Sequence, residues 1–224
     1  MSDTRGTLTG SDLARIRQGC YRVLASGFGR PSDGETEQIQ AGLMALEDLG
    51  LGMFSFAPQM RRWDLALADA APESVANEFV RLFGSGMDGA VCPPIESQHL
   101  GVNLAGDPAR HAGRVEDLMR RSGFEARHDD RPPDHIATEL ELASAMCGAE
   151  ARARGAGEGV RDWLEWQQEI VAVLNMWVPG FAATLAERDG TGVFAALGEA
   201  TKAFSLHEHD VVRVLIDAEG GGLE

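Results

Sequence analysis

Positive charge is scarce in this sequence. Its 224 residues include one lysine, Lys202, and 20 Lys and Arg residues in all, against 35 Asp and Glu, for a formal net charge of −15 at pH 7. Affinity for nucleic-acid phosphates depends on Lys and Arg, so we expect no nucleic-acid partner, and the charge also disfavours an anionic membrane surface. The charge suits a partner that carries positive charge, or it serves solubility alone.

Cysteine is also rare. The three cysteines, Cys20, Cys92 and Cys147, are far apart, odd in number and form no CxxC pair. A disulfide framework or a zinc site built from thiolates is therefore disfavoured. A reducing cytosol is the simplest location for such a chain, and we expect a cytoplasmic protein.

Long uninterrupted apolar runs are missing. The nearest candidate, residues 170–186, contains Asn175, Pro179 and Gly180, so we expect no membrane span. Residues 1–10 are polar and poor in basic side chains, which is not typical of a secretory signal.

The common signatures of catalytic and cofactor sites are absent. The sequence has no HExxH, no GxSxG and no GxxxxGK[ST] pattern, and no GxGxxG follows a predicted strand. His207 and His209 flank Glu208, but two His separated by one residue point apart on a helix, so this cluster is a weak metal candidate. Nothing in these patterns assembles a catalytic site, and we predict no bound metal and no resident cofactor; the absent motifs alone leave an enzyme open.

Helical periodicity runs through almost the whole chain. Apolar residues recur at helical spacing from the first stripe, at residues 13–28, to the last, while the alternation typical of strands is nearly absent. The pattern predicts an all-α fold, a single-domain bundle of about eight to ten helices over residues 1–224. Residues 1–10 and 217–224 are predicted to be flexible.

Some segments depart from this regular pattern. Residues 84–106 are rich in Gly, carry no helical stripe and are predicted to form an ordered loop. Leu65 belongs to a short, weak helical stripe, and Pro179 is predicted to kink the longest helix. Residues 206–216 fit a short helix, although residues 211–216 also fit a strand.

Two further segments, Cys92–Leu100 and Arg131–Leu140, carry polar side chains next to paired prolines. In the second, Asp134 is predicted to cap a helix start, which places His135 and Glu139 four residues apart on one helix face. On spacing alone, a capped helix with a surface His–Glu pair is the simpler interpretation, because capping signals occur at every helix start. A rigid site that holds a carboxylate and an imidazole is the alternative.

Four elements of the sequence, in order, resemble the TorD/DmsD/NarJ family of redox enzyme maturation chaperones, which serve molybdoenzymes. The elements are Phe79-Val80-Arg81-Leu82-Phe83-Gly84, similar to an aromatic-x-x-LF-G stretch; Pro94-x-Glu96-Ser97, similar to P-x-E-S; Pro133-Asp134-His135 with Glu139-Leu140, similar to PDHxxxEL; and Gln167-Gln168 through Trp177-x-Pro179-x-Phe181, similar to a QQ…W-x-P-x-F helix. The resemblance extends over roughly residues 10–210.

The resemblance implies a TorD-like, all-helical cytoplasmic chaperone without catalytic chemistry. Such proteins bind the apo-precursor of a molybdoenzyme catalytic subunit, typically through its twin-arginine signal peptide or N-terminal region, and delay export until molybdopterin is inserted. An acidic protein with an apolar groove suits a peptide with a basic head and an apolar stretch. The resemblance also implies a monomer or a domain-swapped dimer, with a possible hinge at residues 151–159.

The resemblance further implies roles for four titratable side chains. Glu96 and Asp134 would pair with the arginines of the peptide. His135 would hydrogen-bond the peptide backbone, and Glu139 would orient His135.

Five other residues complete the predicted peptide site. Ser97 would cap a turn or contact the peptide backbone, and Pro133 would preorganise its loop, which lowers the entropic cost of binding. Phe79, Leu82 and Phe83 would line the apolar groove, although large apolar side chains such as these more often belong to the core.

Two other functions are compatible with the sequence. One is a helical scaffold or regulatory subunit that binds a folded partner and has no affinity for an isolated signal peptide. The other is a metal-dependent helical hydrolase that uses Glu96, Asp134, His135 and Glu139.

Overall fold

The computed structural model describes residues 8–31, 34–84, 89–100, 108–125 and 131–220. Across these ranges the chain forms nine α-helices and no named strand, so the predicted all-α class is confirmed. The helices are α1 (Gly10–Gly27), α2 (Glu35–Asp48), α3 (Ala57–Asp69), α4 (Pro72–Phe83), α5 (Glu96–His99), α6 (Pro108–Ser122), α7 (Ile136–Ala156), α8 (Arg161–Arg188) and α9 (Val193–Gly220), with a 3-10 turn at Leu51–Met53 between α2 and α3.

The long helices form the core of the fold. α1 packs along α7, α8 lies along α9, α3 contacts α9, and α2 contacts α1. The long helices bury their apolar faces, and removal of these side chains from water is the main force that holds the helices together. The largest fully buried side chains are Trp63, Trp177, Tyr21, Phe28, Phe181, Phe194 and Phe204.

Local sequence signals set several helix ends. Thr9 and Asp12 form a reciprocal capping box at the start of α1, with the Thr9 hydroxyl 3.1 Å from the Asp12 N–H. Pro72 is the first residue of α4, a position that proline favours because its fixed φ suits a helix start. Gly157 ends α7 with a φ of 71°, a left-handed conformation that glycine adopts without steric cost.

The end of the chain differs from the prediction. Residues 193–220 form one continuous helix, α9, and not a helix followed by a second short helix or a strand. No Gly or Pro interrupts residues 199–219, and the β-branched residues at 211–216 stay helical because Val212 is fully buried on the same face as Phe204. Leu65 also departs from its predicted stripe, since it is 65% exposed.

α8 contains Pro179 and continues on both sides of it; the predicted kink stays a prediction. Among the described residues, α8 is the one helix long and apolar enough, by length and composition, to cross a membrane. Half of its most apolar stretch is buried in the fold, and the core helix of a soluble protein meets the same criteria.

Parts of the predicted loop and flexible ends, residues 1–7, 85–88, 101–107 and 221–224, lie outside the described residues. Within the described part of the loop, residues 96–99 form the short helix α5. At the ends, α1 begins at Gly10 and α9 continues to Gly220.

Candidate functional site

The two sequence segments that carry the family motifs lie side by side. Ile95 and His135 form an isolated antiparallel bridge, in which the Glu96 N–H donates to the Asp134 carbonyl at 2.9 Å and the Ile136 N–H donates to the Pro94 carbonyl at 3.0 Å. Elements that are far apart in sequence therefore form one rigid unit at the start of α7.

Asp134 links the segments and does not cap α7. Its buried carboxylate accepts a hydrogen bond from the Ser97 N–H at 3.2 Å. The N-cap of α7 is His135, whose Nδ1 accepts from the Ala137 N–H at 3.1 Å. The predicted cap is therefore wrong by one residue, because the bridge to Ile95 keeps the chain extended through His135 and turns Asp134 toward α5.

Glu96 is fully buried at the start of α5. Its Oε1 accepts a hydrogen bond from His111 Nδ1 at 2.8 Å and another from the guanidinium of Arg114, both on α6. Its Oε2 is buried and has no hydrogen-bond partner within the part of the chain that the structure describes. The predicted pairing of Glu96 with a peptide arginine requires a carboxylate at the surface. The structure instead buries the Glu96 carboxylate beneath α6.

Glu139 is also fully buried. Its Oε2 accepts from Trp177 Nε1 on α8 at 3.1 Å, while its Oε1 is buried and accepts no hydrogen bond from the described residues. The predicted surface His135–Glu139 pair is wrong in its placement, because Glu139 lies on the core face of α7 and His135 Nδ1 caps the helix.

The environment of Glu139 strongly favours its neutral form. Burial raises the pKa of this carboxyl well above its ordinary value of 4.5, and the nearby carboxylates of Glu96 and Asp134 raise it further, against the opposing effects of the Trp177 hydrogen bond and Arg114. A protonated Glu139 can donate a hydrogen bond as well as accept one.

These residues form one buried, acid-rich group, which we call the motif cluster. It consists of Glu96, His111, Arg114, Asp134, Glu139 and Trp177. Three carboxyl groups face one arginine, whose side chain is 39% exposed, and one histidine. Within the described ranges no three His, Cys, Asp or Glu side chains are grouped so that they could hold a metal ion.

Above the motif cluster, Ser97, Pro133 and His135 are half-buried. They are the predicted site residues of the two motifs that reach the surface. The cluster beneath them fixes their backbone through the bridge and the Asp134 hydrogen bond.

His99, at the end of α5, joins the motif cluster to the aromatic core. Its ring stacks on Trp177 at a centroid distance of 5.6 Å and meets Phe181 edge-on at 5.1 Å. Its Nε2 donates to the Pro93 carbonyl at 2.7 Å. Burial lowers the pKa of His99 below its ordinary 6.5, so the ring is neutral at pH 7.

The predicted groove residues of α4 belong mainly to this core. Leu82 is fully buried, so it does not line an open groove. Phe79 and Phe83 are half-buried and pack edge-on against each other at 5.1 Å, and Phe83 meets Phe194 at 5.3 Å. The Cys92 N–H donates to the Leu82 carbonyl at 2.8 Å, so α4 holds the loop that leads to α5.

A second buried charge group was not predicted from the sequence. Arg17 on α1 donates to both carboxylate oxygens of Glu208 on α9, at 3.0 and 2.9 Å, and to Glu150 on α7 at 2.9 Å. It also donates to Gln167 on α8, while Arg154 donates to Glu150 at 2.8 Å. We call these five residues the Arg17 cluster, which ties four helices together.

A signal for this cluster does exist in the sequence. Arg17 lies between Leu13 and Cys20 in the first apolar stripe, and Glu208 follows Phe204 by four residues in the last one. Charged residues in phase with an apolar face must find buried partners, because an unpaired buried charge is costly.

Comparison with known proteins agrees with the geometry. A family model described as the nitrate reductase delta subunit matches residues 54–183, which is more than half of the chain and includes both motif segments. The chain belongs to this family. The family resemblance that the motifs predicted, to redox enzyme maturation chaperones of the TorD/NarJ type, is thereby confirmed.

A solved structure shares the fold. The chain is similar to a candidate redox enzyme maturation protein from Archaeoglobus fulgidus, with a TM-score of 0.56 and 17% sequence identity, over 91% of this chain and 98% of the other. No curated protein sequence matches the chain at a significant level.

Proposed function

We propose that this delta-subunit family member is a cytoplasmic chaperone for the precursor of a molybdenum-containing oxidoreductase catalytic subunit. It binds the twin-arginine signal peptide or the N-terminal region of that precursor. It then assists cofactor insertion and folding before export. The observation that carries the proposal is the assembly of the P-x-E-S and PDHxxxEL segments into one rigid, acid-rich unit in a chain of this family.

The physical cost of the motif cluster supports a role in binding. Buried carboxyl groups with unpartnered oxygens lower stability, so a sequence selected for stability alone would replace them with apolar side chains. Groups of this kind concentrate at functional sites. We assign Glu96, Asp134 and Glu139 to positioning the surface segment from beneath, and not to direct contact with the client.

Direct contact falls to the half-buried residues. His135 and Ser97 offer polar groups to a peptide backbone, and Pro133 holds its segment in a fixed conformation, which reduces the entropy lost on binding. Phe79 and Phe83 contribute partly exposed aromatic surface. The net charge of −15 attracts a basic peptide head over a distance.

The alternative hydrolase has little support from the hydrogen bonds. Of its four proposed ligands, Asp134 accepts from Ser97, His135 Nδ1 accepts from Ala137, and Glu139 accepts from Trp177. We therefore assign no catalytic residue.

We also expect a monomer or a dimer that exchanges helices at the turn after α7, near Gly157.

Affinity capture of the tagged chain from its native cytoplasm, followed by mass spectrometry, tests the proposal. Under conditions that induce molybdoenzymes, we expect a catalytic-subunit precursor that retains its twin-arginine segment. Recovery of only a mature, folded partner would contradict the proposal and favour the scaffold function. An empty capture under all inducing conditions would also contradict it.

A further inference from the structure

A cleft of about 250 Å³ opens between α2 and α3, away from the family motifs. Its apolar wall consists of buried Leu43, Leu51 and Met60 together with Met44, which is 68% exposed. Its polar residues are Glu47, Asp48, Arg61 and Asp64. An exposed methionine over a buried apolar floor is suited to apolar side chains of varied shape, because methionine is flexible and polarisable.

The positive charge of the cleft is already paired. Arg61 donates to both carboxylate oxygens of Glu47, at 2.6 and 2.8 Å, and so links α3 to α2. The 3-10 turn lies close to this pair, since a Cβ at Gly52 would come within 2.8 Å of the Arg61 guanidinium. The Arg61 hydrogen bond lowers the pKa of Glu47, so that the pair is ionised at neutral pH.

Asp48 and Asp64 supply charge that no side chain in the described part of the protein neutralises. Neither carboxylate has a hydrogen bond or an ion pair there, and Asp48 is exposed while Asp64 is half-buried. The cleft therefore combines an apolar floor with two accessible negative charges. Such a surface complements a cation next to a large apolar side chain.

The size of the cleft indicates what kind of molecule it takes. Small-molecule pockets usually enclose about 300–1,000 Å³, whereas this cleft is smaller and open. It suits one or two side chains of a longer segment that continues across the surface. A second copy of this acidic chain, or an anionic lipid, would bring further negative charge to Asp48 and Asp64, which is unfavourable.

We propose that the α2–α3 cleft binds a basic, apolar segment of a client polypeptide. An apolar side chain of that segment packs on Met44 and Met60, and a neighbouring arginine or lysine pairs with Asp48 and Asp64. The inference rests on the proposed chaperone function and deepens it. The carboxylates of the motif cluster are buried, so the cleft supplies the exposed carboxylates that an arginine-rich segment requires.

The test uses a fluorescein-labelled synthetic peptide that contains two adjacent arginines followed by a stretch of leucine and alanine. Fluorescence anisotropy measures the affinity of the protein for this peptide at low and high salt. In the Asp48→Asn/Asp64→Asn variant we expect about tenfold weaker binding at low salt. The variant should also lose most of the salt dependence of the wild type. Met44→Gln should weaken binding at both salt concentrations, because it changes the apolar contact and not the charge.

A matched control keeps the change in net charge equal. Glu116→Gln/Glu187→Gln removes two exposed carboxylates outside the cleft and should leave the affinity within about twofold of the wild type. Equal loss in both double variants, or unchanged binding in Asp48→Asn/Asp64→Asn, would overturn the cleft assignment and leave the chaperone function standing. A wild-type chain that binds no such peptide would overturn both.

Discussion

The Arg17 cluster and the motif cluster are both buried, but they differ in how well their charges balance and in how many of their carboxylate oxygens are hydrogen-bonded. In the Arg17 cluster two arginines face two glutamates, and every carboxylate oxygen of Glu150 and Glu208 accepts a hydrogen bond. In the motif cluster three carboxyl groups face one half-exposed arginine and one histidine, and one oxygen of Glu96 and one of Glu139 accept no hydrogen bond from any described residue.

Under the proposed function, this difference separates a group that holds the fold together from a group that positions a binding surface. In the Arg17 cluster the charges are balanced and the carboxylates are hydrogen-bonded, while Arg154 Nη2 is the buried atom without a partner among the described residues. A charge-balanced buried network of this kind fixes the arrangement of the helices that supply it. An unsatisfied buried carboxylate oxygen needs another reason to persist, and in this chain those of Glu96 and Glu139 lie within the motifs of the family. We expect substitutions in the first cluster to change stability most and substitutions in the second to change binding most.

The largest effect is expected for Arg17→Met. The substitution keeps an apolar stem but leaves Glu150 and Glu208 buried without their main partner, which should lower the free energy of unfolding by about 3–5 kcal/mol. Urea denaturation monitored by circular dichroism measures it. Arg15→Met on the same helix is the control: Arg15 is 63% exposed and pairs only with Asp12, so its loss should cost about 1 kcal/mol or less. Similar losses in both variants would break the comparison.

A smaller effect on the free energy of unfolding is expected for Glu139→Gln. Its pH dependence should be opposite to that of an ordinary ion-paired carboxylate. Because the folded pKa of Glu139 is raised, the native state holds a proton that the unfolded state releases near pH 4.5. Stability should therefore fall as the pH rises from about 4.5 toward the folded pKa. Glu139→Gln, which is neutral at every pH, should remove this fall, as measured by urea denaturation across the pH range. An identical pH slope in the variant would contradict a neutral Glu139.

Glu78 belongs to neither cluster, and its lowered pKa is the opposite of the raised pKa of Glu139. It accepts hydrogen bonds from Arg81 at 2.7 and 2.6 Å, which, with other contacts, lower its pKa from 4.5 to about 2. The contribution of ionised Glu78 to the free energy of unfolding is fully present above pH 4.5 and is lost as the pH falls toward 2. Glu78→Gln should cost about 1–2 kcal/mol at pH 7, since Arg81 is half-exposed. The variant should also show a shallower loss of stability in acid; an equally steep loss would contradict this assignment.

The smallest change in stability is expected at His135. Asparagine caps helices well, so His135→Asn should unfold within about 0.5 kcal/mol of the wild type. His135→Ala, which removes the cap on Ala137, should lose about 1 kcal/mol. Thermal melts of the two variants measure the difference. Equal melting temperatures would show that Nδ1 does not stabilise α7.

The fold was predictable to a large extent from periodicity and from the resemblance together. Apolar spacing predicts the all-α class, and its first stripe, at residues 13–28, contains the buried face of α1 at Ile16, Cys20 and Leu24. It does so because a helix repeats its core-facing positions every three to four residues. The motifs also identified the two segments that meet in the structure.

The sequence could not show which partner each buried polar side chain takes. Glu139 was paired with His135 because they are four residues apart, but its hydrogen bond goes to Trp177 on another helix. The role of His111 and Arg114 beside Glu96 depends on how α6 packs on α5. Contacts between helices follow from the packing of the whole fold, which the spacing within one helix does not contain.

The affinity of a client N-terminal peptide for His135→Asn, compared with that of the wild type at equal folded fraction, tests the account most directly. We predict at least about tenfold weaker binding with a free energy of unfolding within about 0.5 kcal/mol of the wild type, because the proposed function has the imidazole contact the peptide and asparagine preserves the helix cap. Unchanged affinity in His135→Asn would contradict the account, and the two motif segments would then serve only to build the fold.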